Sequence, residues 1–178
     1  MKTGRAYAQV MPVAEYLVEY LSLFCDRIEI AGSLRREKAM IGDIEIVAVP
    51  ILDRDLFGEP TGLSSIDHIL LALSGQITKN GQKQKQFMYA ADDGEVYQVD
   101  LFLQPNPATW GVNFLLRTGS ADFSRRMVTS KSAGGYMPLG YQVSGARVWH
   151  LGEMVETPEE EDVFRLWGMD VVEPRERM

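Results

Sequence analysis

AGSLRREKAMIGDIEIV, Ala31 to Val47, is the stretch from which the rest of the chain is read. Side chains at i and i+2 of a strand leave the same face, so a strand beginning at Asp43 presents Asp43 and Glu45 together, with Val47 and Val49 continuing that face inward. Its other face, Ile44, Ile46 and Ala48, is wholly apolar. The strand is therefore expected to be covered on both sides, with its acids at the wet end. Paired carboxylates require a compensating cation, and Mg²⁺ suits them because it takes carboxylate and phosphate oxygens.

Immediately upstream, Arg27 to Ala31 reads as a short strand that runs into Gly32-Ser33, and Leu34-Arg35-Arg36-Glu37-Lys38 reads as a helical turn. Gly32 permits close backbone approach, Ser33 offers a hydroxyl, and Arg35 or Arg36 offers a planar fork for phosphate oxygens. A third carboxylate is supplied by VYQVDLFLQP, where Val99, Leu101 and Leu103 share one strand face and Asp100 and Phe102 take the other. A phosphate-sized turn ahead of acids carried on strands has the pattern of a nucleotidyl-transfer site.

GSLRR, then GDIE beginning ten residues after Gly32, then VDLF far downstream resembles the DNA polymerase X family, to which polymerase beta belongs. The likeness continues through Trp110 to Met127, where a T-G-S turn precedes an F-x-x-x-M helix, and into PEEEDVF and VVEPRER near the C terminus. The resemblance implies an α+β fold: a nucleotidyltransferase palm, a mixed β-sheet with flanking helices, over residues 1–106, then a small α+β subdomain over 107–178 that binds nucleotide and DNA. It further implies that Asp43, Glu45 and Asp100 are catalytic and hold two Mg²⁺ ions, or Mn²⁺ in their place. Gly32, Ser33, Arg36 and Gly42 would hold the β and γ phosphates of a nucleoside triphosphate. Thr118, Gly119 and Ser120 would line the sugar through a cis bond between Gly119 and Ser120, Ser124 would lie at the base edge, and Arg125, Arg126 and Lys131 would meet primer-template or gapped DNA. The implied activity is template-directed DNA polymerisation in short-gap repair, by a minimal form lacking the N-terminal lyase domain.

Several positions depart from the pattern. Glu45 stands where beta-type enzymes carry aspartate, Leu116-Arg117 replaces an aromatic pair, and Ser124 replaces an asparagine. Gln98 replaces an arginine often found two residues before the third acid. Two other functions are therefore carried: non-templated nucleotidyl transfer to RNA, protein or a small molecule, and a catalytically silent module that binds DNA or a partner.

The 178 residues suit one domain or two small subdomains, and the 46% hydrophobic fraction can build a core. No apolar run approaches the length of a membrane span and no leader is evident, so a cytoplasmic monomer of bacterial or viral type is expected, with no membrane partner. The single cysteine, Cys25, reads as a buried thiol, and His68 and His150 enter no site. Net charge is −7, which opposes a protein that wraps duplex phosphate, but the charge is unevenly spread. Residues 117–152 hold five basic side chains against one acid, Lys79, Lys83 and Lys85 form a second basic stretch, and the last 26 residues hold nine acids against three arginines.

Periodicity places a first helix over Pro12 to Phe24, with Val13, Leu17, Tyr20, Leu21 and Phe24 as its apolar stripe. Asp53 to Gly62 reads as a loop, Ser64-Ser65 as the cap of a helix that ends at Gly75, and Ile77 as the start of a strand. Gln84 to Ala90 and Glu95 to Leu103 pair through Asp92-Asp93-Gly94. Pro105 and Pro107 mark a boundary, since neither can donate to a ladder. Beyond it, Trp110 to Leu116 and Asp122 to Met127 read as helices, Met137 to Val143 and Arg147 to Leu151 as a hairpin, and Pro158 to Trp167 as an acidic helix.

Overall fold

A computed structural model describes residues 4–73 and 75–178. The chain falls into two compact units, one running to Pro105 and the other from Asn106 to Met178.

The first unit is built on a five-stranded sheet ordered Cys25–Ile30, Ile44–Pro50, Val96–Leu103, Gln84–Ala90 and Gln76–Asn80. Its two most apolar strands, Ile44–Pro50 and Val96–Leu103, lie centrally and pair in parallel, while the other pairings in the sheet are antiparallel. Strands this apolar are stable where both faces are covered. Ile44, Ile46, Ala48, Val99, Leu101 and Leu103 join Val10, Ala14, Leu17 and Leu21 of helix Tyr7–Ser22 and Ile66 and Leu70 of helix Ser65–Leu73 in one core. On the opposite face, Val47, Val49 and Phe102 are also buried. The acids project from that second face, away from the helices.

The first helix begins at Tyr7, ahead of the expected start, and runs through Pro12. Proline removes one helical hydrogen bond, yet Val10, Ala14, Leu17 and Leu21 form a fully buried stripe that keeps the helix continuous past the exposed Pro12. The segment expected as a loop over Asp53 to Gly62 instead contains much of an antiparallel pairing between Leu52–Arg54 and Pro60–Ser64. Its turn is closed by Asp55, whose Oδ1 accepts from the amides of Phe57 and Glu59 at 2.8 and 2.9 Å, and by Arg54 donating to the Gly58 carbonyl at 2.7 Å.

In the second unit, helices Trp110–Thr118, Ala121–Met127 and Glu160–Trp167 enclose a cluster that includes Val112, Leu115, Phe123, Met127, Val163, Phe164 and Trp167. The expected hairpin is shorter, Tyr141–Ser144 with Arg147–His150, and a third strand, Glu153–Val155, extends it to a meander. Glycine is required at position 111, because a Cβ there would stand 2.0 Å from the Glu159 carbonyl oxygen. The helix Glu160–Trp167 starts with a reciprocal cap between Glu159 and Asp162.

Candidate active site

The turn that follows strand Cys25–Ile30 is fixed to the central strand by the Ala31 amide, which donates to the Glu45 carbonyl at 2.8 Å. Gly32 then adopts φ +60°, and a Cβ on it would stand 1.8 Å from Glu45 Oε2. The glutamate carboxylate thus lies directly over the glycine, an approach that any side chain at position 32 would block. The next residue, Ser33, carries a buried hydroxyl that has no hydrogen-bond partner among the described residues. Buried polar atoms are nearly always satisfied, so this hydroxyl is the kind of group a phosphate oxygen would complete. Arg36 closes the turn with its amide on the Gly32 carbonyl. Burial lowers its guanidinium pKa, and the nearby Glu45 carboxylate opposes that shift. Asp43 sits in the bend just before strand Ile44–Pro50, and a Cβ on the exposed Gly42 would meet open space.

Across the parallel pairing, Glu45 is the register partner of Asp100 and Val47 that of Phe102. Asp100 is 7% exposed and is held by three glutamine amides: Gln84 and Gln86 donate to Oδ1 at 3.0 and 2.8 Å, and Gln98 donates to Oδ2 at 2.7 Å. Gln98 stood out in the sequence, but Gln84 and Gln86 did not. Their signal was available: a turn centred on Asp93 pairs Ala90 with Val96 and, counting outward, Gln86 with Asp100.

Expected as a converged three-acid metal site, the carboxylates stand differently. Among the described residues no group of three or more His, Cys, Asp or Glu side chains is gathered closely enough to hold a metal ion. The physical reason is that Glu45 turns toward Gly32 and Arg36 while Asp100 turns to the glutamines. The donor set still fits Mg²⁺, since two hard carboxylates, Glu45 and Asp100, share one sheet face across neighbouring strands, near a hydroxyl left unsatisfied among the described residues.

In the second unit, Thr118 is fully buried at the end of its helix and Gly119 is packed against Phe123 and Ser124, where a Cβ would stand 2.6 Å and 2.7 Å from their side chains. Ser120 caps the next helix, its Oγ accepting from the Phe123 amide at 3.1 Å, and its own amide donates to the Arg177 carbonyl at 3.0 Å. Ser124 Oγ donates to the Leu116 carbonyl at 2.8 Å. Exposed Arg125 pairs with Asp122, exposed Arg126 lies over the Tyr136 ring at 4.4 Å, and exposed Lys131 donates to the Trp167 carbonyl at 3.1 Å.

No family model matches the chain. Among solved structures it is similar to Leishmania infantum polymerase beta in its ternary P/T complex, at 21% identity and a TM-score of 0.74, over 98% of this chain and 77% of that one. The ternary gap complex of the same protein matches at 21% identity and a TM-score of 0.77, over 98% of this chain and 70% of the other. The chain has the polymerase beta fold.

Within this polymerase beta fold, the T-G-S turn corrects one expectation. The described residues contain no cis peptide bond, so Gly119–Ser120 is trans. Gly119 and Ser120 are both extended, with ψ of 156° and 163°, and that geometry carries the chain from one helix into the next cap without the energetic cost of a non-proline cis bond. No helix among the described residues is long and apolar enough to cross a membrane.

Proposed function

We propose that the chain is a template-directed DNA polymerase of the X type, adding deoxynucleotides to a primer 3′ hydroxyl in short-gap repair. The observation that carries this reading is the pairing of Glu45 with Asp100 across parallel strands, with the Gly32-Ser33 turn seated against the Glu45 carboxylate.

The first unit supplies the chemistry in this reading. Ser33 and Arg36 bind the triphosphate, the hydroxyl donating to a phosphate oxygen and the guanidinium offsetting its charge. Gly32 keeps the backbone of the turn bare, and Gly42, where a Cβ would meet open space, leaves room beside Asp43. Asp43, Glu45 and Asp100 would hold Mg²⁺ once the Glu45 and Asp100 carboxylates turn toward it, and the ion would acidify the attacking hydroxyl and neutralise the triphosphate and the departing pyrophosphate. Asp100 stands nearest the primer terminus and orients it for in-line attack, the contribution that positioning makes to such reactions.

The second unit binds nucleotide and DNA in this reading. Gly119, Ser120 and Ser124 meet sugar and base on a surface that the buried Thr118 shapes from beneath, and Arg125, Arg126 and Lys131 meet backbone phosphates. One observation favours transfer without a template: Ser124 gives its hydroxyl proton to Leu116 and so has none to donate to a base edge.

The test is extension of a gapped primer-template by the full chain with Mg²⁺ and each deoxynucleotide singly. Extension only by the nucleotide complementary to the template supports polymerisation. Extension by every nucleotide supports untemplated transfer, and no extension with Mg²⁺ or Mn²⁺ supports a different acceptor or a silent module.

A further inference from the structure

We infer that Gln84, Gln86 and Gln98 are positioning residues that orient Asp100 for a divalent cation while leaving its charge intact, with Thr78 locking Gln86 from behind. The inference rests on the reading of Asp100 as a cation ligand.

Three strands contribute to the arrangement. Gln98 precedes Asp100 by two residues and so shares its face, while Gln86 is its register partner on the neighbouring antiparallel strand. A carboxylate only accepts, so each glutamine must offer its amide NH₂ and turn its Oε1 away. For Gln86 the turned oxygen has a partner: the single Thr78 hydroxyl hydrogen is shared between Gln86 Oε1, at 2.8 Å from Oγ1, and the Gln86 carbonyl, at 3.1 Å, with the side-chain oxygen the nearer acceptor. Thr78 lies where the Gln76–Asn80 strand is irregular, the register shifting between Ile77 and Lys79. A bulge re-aims a side chain, and here it puts the threonine hydroxyl on the glutamine amide. Thr78, Gln86 and Asp100 thus form a directed line of hydrogen bonds across three strands.

The chemistry of this cradle differs from that of a cation. An arginine at position 98 would orient the carboxylate and also cancel its charge, whereas amides orient it and leave the full negative charge for a metal. They also ration its acceptor sites. Oδ1 takes two amide hydrogens and Oδ2 takes one, so the remaining capacity lies on Oδ2. Hydrogen bonds that fix a ligand's orientation are the usual way the surroundings of a metal site raise its affinity.

The test is Mn²⁺ binding, followed by the electron paramagnetic resonance signal of the free aquo ion, on the full chain and on Asp100→Asn, Gln86→Met, Thr78→Val and Gln98→Arg. The melting temperature without metal is recorded for each. Gln86→Met is expected to weaken binding about tenfold, Thr78→Val to weaken it in the same direction by less, and Gln98→Arg to weaken it by charge. Adding Gln86→Met to Asp100→Asn is expected to cause no further loss. Wild-type affinity in Gln86→Met and Thr78→Val, with affinity lost in Asp100→Asn, would overturn the cradle and leave Asp100 as a ligand. Wild-type affinity in Asp100→Asn would overturn both. Should Gln86→Met fail to fold, Thr78→Val, altered at an exposed position, decides alone.

Discussion

Glu45 and Asp100 face each other across the one parallel pairing of the central sheet, yet their carboxylates are held by unlike means. Glu45 lies over the bare Cα of Gly32 beside Arg36, and Asp100 is gripped by neutral amides. The Gly32-Ser33 turn and Asp100 are therefore linked through adjacent backbone, by the Ala31 amide on the Glu45 carbonyl and the pairing of Glu45 with Asp100.

Gly32→Ala tests the close approach. A methyl group at 1.8 Å from Glu45 Oε2 must displace the carboxylate, and φ +60° costs a β-carbon residue roughly 1–2 kcal/mol. The expected result is a small loss of urea stability with a roughly hundredfold loss of extension rate, the scale of an ångström-sized misplacement. Loss of stability with full activity would show that the carboxylate position does not matter.

Lys85 and Asp67 test the far side of the same unit. Lys85 is 2% exposed and donates to Asp67 Oδ1 at 2.5 Å and to Asn80 Oδ1 at 2.7 Å, while Ser64 donates to Asp67 through both its amide and its hydroxyl. Burial alone would raise the Asp67 carboxyl, but the bonds from Lys85 and Ser64 outweigh it and hold the group below its ordinary 3.8. As pH falls the unfolded chain takes up this proton first, so the stabilisation is present above that ordinary value and is lost as pH falls through the lower folded one. Asp67→Asn is expected to cost about 3–5 kcal/mol at neutral pH, because a buried ammonium is left without its carboxylate. In urea unfolding the gap to wild type should narrow below about pH 4. A gap that is constant into acid would contradict the assignment.

The sequence made the sheet readable because its pattern is local. Alternation in Ile44 to Val49 and in Val99 to Leu103 fixes which residues are buried, and a short turn fixes which glutamine opposes Asp100. The start of the first helix was not readable, because Pro12 argues locally for a boundary and only burial of Val10 and Ala14 against the sheet overrules it. The pairing of Leu52–Arg54 with Pro60–Ser64 was hidden for a similar reason: a segment rich in glycine and proline is closed by Asp55 and Arg54 through side-chain bonds that carry no periodic signal. At the candidate site, residue types were legible and side-chain directions were not. The turning of Glu45 toward Gly32 depends on an approach between segments that alternation cannot encode.

Arg177 tests how the C-terminal tail supports the T-G-S turn of the second unit. Its side chain is 1% exposed, donates to Glu160 Oε1 at 2.5 Å and to the Val172 carbonyl at 2.8 Å, and its own carbonyl accepts from the Ser120 amide. Arg177→Leu leaves Glu160 charged and buried, for an expected loss of about 3–5 kcal/mol in urea unfolding. The double variant Arg177→Leu with Glu160→Leu should recover much of that loss. No recovery would mean that the tail acts through its backbone alone.

Cys25 gives a chemical check on the first unit. Burial, and then the neighbouring Asp26 carboxylate, push its thiol up to about 12, so little thiolate forms near neutrality. Iodoacetamide should modify the native chain slowly at about pH 8 and the urea-unfolded chain rapidly. Equal rates would contradict the packing at the start of strand Cys25–Ile30.

The measurement that tests the central claim most directly is single-turnover extension of a gapped primer-template at saturating nucleotide and Mg²⁺, comparing wild type with Glu45→Ala and Asp100→Ala after both variants are shown to keep their fold by circular dichroism. The account expects template-matched extension by wild type and a loss of roughly a thousandfold or more in each variant, the scale of electrostatic stabilisation removed from a transition state. Extension that survives in both variants at the wild-type rate would show that the Glu45–Asp100 face is not where the chemistry takes place.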